Sequence, residues 1–114
     1  MYLPDFNGFE TKELTFYKDK NVAVGKALTV GALKKAVVPA ADEKFCGVCS
    51  ALHDVYVSVI LKGHAVVKYS GTAPSIGYNK LAADGNGYVK LSDNGREILV
   101  LDVDAINRTI EILL

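Results

Sequence analysis

The chain has no tryptophan, one methionine, three prolines, two cysteines and two histidines in 114 residues, and its formal charge sums to zero. Each shortage excludes something. Thirteen basic residues balanced by thirteen acidic ones leave no long-range field to draw in duplex nucleic acid or an anionic membrane. The longest charge-free stretches run only from Phe45 to His53 and from Tyr69 to Asn79. Both fall far short of the roughly 20 apolar residues a membrane helix needs. The opening Met1-Tyr2-Leu3-Pro4-Asp5 has neither a basic segment nor an apolar one of the kind that marks a secretory signal. The expectation is a soluble protein made in a cytoplasm, with both cysteines as free thiols.

What is present points to strands. Valine, isoleucine and threonine make up 25 of the 114 residues, a composition suited to a pleated, half-buried surface. The length allows one domain and not two independent cores, and it needs no metal or disulfide to hold it together. Residues 1–12 differ from the rest. Tyr2, Phe6 and Phe9 stand among Pro4, Asp5, Asn7 and Gly8 without a helical or a two-residue period. They read as an irregular N-terminal arm that needs a surface to lie on. Residues 13–114 read as a single body.

Within that body short apolar runs alternate with turn signals. Leu14 to Tyr17, Val22 to Val24, Ala27 to Val30 and Val37-Val38 are strand candidates, and Gly31 to Ala36 reads as strand plus loop. Pro39 marks an edge or an exit, because it cannot donate to a ladder. Phe45 to Leu52 is nearly continuous apolar sequence, as expected of a strand covered on both faces. Val55, Val57, Val59 and Leu61 alternate with Tyr56, Ser58 and Ile60, a two-residue period. Lys62-Gly63 then predicts a tight hairpin to the strand His64 to Tyr69. Ser70 to Asn79 is a long crossing loop, and Lys80 to Ala82 a short strand. Asp84-Gly85-Asn86-Gly87 is a tight turn into Tyr88 to Leu91, and Asp93-Asn94-Gly95 is another turn. Glu97 to Val103 and Thr109 to Leu114 close a last hairpin. Eight to ten short strands without a helix indicate an all-β barrel or compact sandwich.

Reactive constellations are weak. Cys46-Gly47-Val48-Cys49 has the spacing of a redox pair, but such a pair works at a helix start, and residues three apart on a strand face opposite ways. Cys46, Cys49, His53 and His64 are the right residue types for zinc without the paired spacing of a structural site. Ser50, His53 and Asp54 carry no special signal, and adjacent strand residues diverge. His64 is expected on a solvated rim with Val66 and Lys68. The glycines of 84–87 precede a strand, whereas a phosphate cradle precedes a helix. Tyr56, Tyr69, Tyr78 and Tyr88 lack the interleaved basic residues of a base-stacking groove. No cofactor, metal or nucleic acid is expected.

The order of the pieces carries more. Glu13-Leu14-Thr15-Phe16-Tyr17, Val22-Ala23-Val24-Gly25-Lys26-Ala27 and Phe45-Cys46-Gly47-Val48-Cys49 resemble the small capsid decoration proteins of tailed phages and prophages. The later Gly71-Thr72-Ala73-Pro74-Ser75-Ile76-Gly77-Tyr78, Leu81-Ala82-Ala83-Asp84-Gly85 and Val100-Leu101-Asp102-Val103-Asp104 agree with the same pattern. The likeness covers roughly residues 10 to 114 and rests on glycines and apolar strands. It implies a small β-barrel or β-tulip-like module, without an enzymatic role, on the exterior of a virion. Its partners would be the major capsid protein and its own copies, as a homotrimer between capsomers. It also implies an arm that orders on the shell, so Tyr2, Leu3, Pro4, Phe6 and Phe9 become the candidate capsid contacts. The rival readings are a small-molecule-binding β-barrel, and a redox or metal accessory protein built on Cys46 and Cys49.

Overall fold

A computed structural model describes residues 11–114 of the chain. Ten strands follow in order: β1 (Lys12–Lys18), β2 (Ala27–Val30), β3 (Lys35–Val37), β4 (Gly47–Leu52), β5 (Tyr56–Lys62), β6 (His64–Lys68), β7 (Gly77–Ala83), β8 (Val89–Leu91), β9 (Arg96–Asp104) and β10 (Thr109–Leu113). A three-residue 3-10 turn, Ala32–Lys34, is the one helical element among the described residues. The first five strands close a small barrel in the order β1-β3-β2-β4-β5, and the other five form a sheet in the order β6-β10-β9-β7-β8. The fold is all-β with a barrel, as the strand and turn pattern predicts.

The alternation read in the sequence decides which side chains meet. On β5, Val57 and Val59 point into the barrel, where they pack with Leu28, Ala36, Cys49 and Val22. Val48 and Ala27 face outward and join Phe45 on the second sheet, against Val67, Tyr69, Leu81, Val89, Ile98, Val100, Ile110 and Ile112. The β4 residues Gly47, Val48 and Cys49 are all buried, so this strand is covered on both faces as its apolar run implies. A parallel bridge from Tyr69 to Val89 returns the end of β6 to β8, giving the second sheet the shape of a cup. Among the described residues no polar or charged one is buried.

Several local expectations give way. Lys62-Gly63 makes no hairpin: β5 pairs with β1 and β4, which occupies both of its edges, and β6 pairs with β10. Gly63, at φ 115°, instead turns the chain from the barrel into the cup. It exchanges two main-chain bonds with Leu114, at 3.1 and 2.9 Å. Val22 to Val24 is not a strand; Val22 is buried and Val24 is exposed on the turn before β2. Gly31 to Ala36 holds the 3-10 turn ahead of β3. Phe45 and Cys46 lead into β4 without belonging to it, and β1 starts at Lys12, which pairs with Lys62. The two later hairpins, β7–β8 and β9–β10, stand where the turn residues put them.

Candidate interaction surface

The predicted arm contacts Tyr2, Leu3, Pro4, Phe6 and Phe9 lie outside the described residues. The place where the chain enters the body is described. Phe16 and Leu14 stand opposite Val57 and Val59, so they share the barrel-facing side of β1, because directly paired residues project from one face. Phe16 packs on the barrel core, yet Leu14 is 56% exposed. The pairing explains why. Among the described residues β1 meets β3 only through Tyr17 and Lys18, so Glu13 to Phe16 have β5 on one edge and no second strand on the other. The barrel is narrow and open at that end.

A platform lies at the other end of β1. Tyr17 and Tyr56 stack with ring centroids 5.5 Å apart at 27°, each close to half exposed. With Thr15, Phe16 and Lys34 they line an open cleft of about 210 Å³. Beside it Leu33 and Lys34 both take left-handed conformations, at φ 59°. Such a conformation costs a non-glycine residue on the order of 1–2 kcal/mol. The turn leaves Leu33 82% exposed.

The second sheet carries its own exposed apolar tip. At the β9–β10 turn the Asp104 carboxylate accepts the Ile106 and Asn107 N–H groups at 3.0 and 3.2 Å and the Asn107 amide at 2.8 Å. These bonds, those from Asn107 above all, hold the Asp104 pKa below its ordinary value. Arg108 lies 4.9 Å over the Tyr69 ring and donates to the Gly71 carbonyl at 2.9 Å. The tip is thus pinned on both sides, and it presents Ile106 at 94% exposure.

The candidate reactive residues do not converge. Cys46 and Cys49 are free thiols; Cys49 sits in the barrel core, and Cys46 precedes β4. Burial pushes both pKa values up, the opposite of an activated thiol. His53 and Asp54 are exposed in the β4–β5 turn, and not on a strand as expected. Ser50 donates to the Ser58 carbonyl at 3.3 Å. His64 lies on the rim with its Nε2 3.7 Å from the Glu111 carboxylate. Among the described residues no group of three metal-ligating side chains comes together. The Asp84 carboxylate accepts the Asn86 and Tyr88 N–H groups, which makes 84–87 a turn held from within. Sequence reasoning missed Leu33 and Ile106: neither has a periodic neighbour, and their exposure is set by turn geometry. In comparisons with protein-family models, curated proteins and solved structures, no significant match to this chain was found.

Proposed function

We propose that this chain is a capsid decoration, or cement, protein of a tailed phage or prophage, which adheres to the outside of the head and stabilises it without catalysis. Its partners are the major capsid protein and further copies of itself in a homotrimer, and it is made in the bacterial host cytoplasm before joining the virion. The observation that carries the reading is the one-sided edge of β1. Along β1, Glu13 to Phe16 have a single neighbouring strand among the described residues, and Leu14 there is exposed. An edge of this kind accepts a further strand through main-chain hydrogen bonds. Apolar side chains around it supply the dry centre of an interface. The stacked tyrosines and Leu33 extend the same surface, and repetition over a shell multiplies each modest contact.

Co-sedimentation with expanded heads tests the proposal. Removing residues 1–11 leaves β1 whole, so the truncated body stays folded by circular dichroism and no longer pellets with heads. Undiminished pelleting of the truncated protein rejects the arm as the contact. Failure of the full chain to pellet with any head preparation from its own source rejects the cement role itself. A small-molecule-binding barrel needs an enclosed apolar pocket; the barrel interior is instead filled by Leu28, Cys49, Val57 and Val59, which favours adhesion.

A further inference from the structure

The outer face of the β6–β10–β9 sheet is divided by charge. Strand register sets Lys68, Thr109 and Asp104 side by side across three strands, and Val66, Glu111 and Asp102 in the adjacent row. The β6 side is basic and apolar, while the β9 side is acidic. Two clefts follow this division. One of about 290 Å³ lies on the basic side, walled by Val24 and Tyr88 with Lys26 and Lys68. The other, about 130 Å³, is walled by Asp102, Asp104 and Glu111. Val66 and Thr109 line both, so they form the ridge between the halves.

The charges stand apart within one copy. Lys68 and Asp102 lie two strands from each other, on the order of 10 Å, and no ion pair engages either among the described residues. Val24 is 60% and Val66 44% exposed, so the basic half also carries apolar surface that a partner would cover. A face with opposite signs on either side of a ridge is complementary to a rotated copy of itself. Rotation about an axis along that ridge brings the basic half of each copy onto the acidic half of the next, which closes a ring.

We propose that this face is a self-association surface, in which the lysine-flanked apolar cleft of one copy seats against the Asp102–Asp104 edge of a second copy. The inference uses only the charge and shape of the face, so it stands independently of the shell-binding reading. Sedimentation velocity of the full chain at low salt tests it. The unaltered chain associates, and raising the salt weakens the association by screening. Lys68→Glu sets acid against acid and Asp102→Lys sets base against base; each raises the apparent dissociation constant about tenfold or more. The combined K68E/D102K chain restores opposite signs between positions 68 and 102 and regains most of the lost affinity, binding at least about threefold more tightly than either single variant. Circular dichroism confirms that each variant is folded. A chain that is monomeric at ~0.1 mM, an oligomer indifferent to either single change, or a double variant that stays dissociated would each overturn the proposal. Head binding, measured separately, reports on the cement role and not on this face.

Discussion

The barrel and the cup are built from the same kinds of residue, but they divide the labour differently. Among the described residues the cup cluster gathers twelve buried ones, including Leu81, Ile98, Ile110 and Ile112, whereas the barrel cluster has six, of which Leu28 is the largest. The longest strand, β9, belongs to the cup with nine residues, while the longest barrel strands, β1 and β5, have seven. Among the described residues the barrel half also carries eight of the fourteen exposed large apolar side chains: Leu14, Tyr17, Val24, Val30, Leu33, Leu52, Val55 and Tyr56. Burial stabilises by roughly 25 cal/mol per Å² of apolar surface, so the cup supplies most of the anchoring. The barrel is the thinner part, with its surface left for contact.

That contrast can be broken most directly in the cores. Ile112→Ala in the cup is expected to cost about 4 kcal/mol and Val57→Ala in the barrel about 2 kcal/mol, measured by urea unfolding. Equal losses would mean that the barrel contributes as much as the cup. Gly47→Ala strikes the wall between them. A Cβ there would meet the Ile60 carbonyl oxygen and the Val59 side chain, both fixed by pairing, and a loss of about 2–3 kcal/mol follows. Full stability in G47A would show that β4 and β5 move apart easily.

Smaller effects sharpen the comparison. Burial raises both thiols, so a maleimide reagent near neutral pH should label half-buried Cys46 before core Cys49. Both should react at once in denaturant; faster labelling of Cys49 would place the barrel core in open exchange with solvent. Leu33→Gly relieves a left-handed backbone and should raise stability by about 0.5 kcal/mol; under the proposed cement role it should also weaken head binding. The last effect lies at the seam. The Asp42 carboxylate meets the Lys90 ammonium at 3.0 Å and the Ser92 hydroxyl at 3.2 Å, and these bonds, that to Lys90 above all, hold its pKa below the ordinary carboxylate value. A depressed folded pKa contributes stability above the unfolded value and loses it as pH falls through the folded one. Asp42→Asn should therefore flatten the melting profile below about pH 4, and an unchanged profile would remove Asp42 from the acid response.

The cup was easier to read from sequence than the barrel, and the reason is local. Asp84-Gly85-Asn86-Gly87 and the Asp104 turn each close a hairpin between neighbours in the chain, so turn chemistry and pairing agree. Lys62-Gly63 carries an equally good turn signal, but whether β6 pairs with β5 depends on β1 and β4, which lie far away in sequence. β2 and β3 are too short to show a period, and Val24 has the composition of a strand residue while sitting on a turn. The two-sided burial of β4 was written in its unbroken apolar run. The display of Leu33 was not, since a left-handed leucine leaves no mark in composition. The divided face on the cup was hidden too, because Lys68, Asp102 and Asp104 become neighbours only through register.

One strand belongs to both halves. Val48 fills the cup and the next residue, Cys49, fills the barrel, so β4 is a party wall. Neither compartment can empty without taking away a side of the other. Calorimetry should therefore record one melting peak whose van't Hoff and calorimetric enthalpies coincide, with no surviving half-molecule between the native and denatured ensembles.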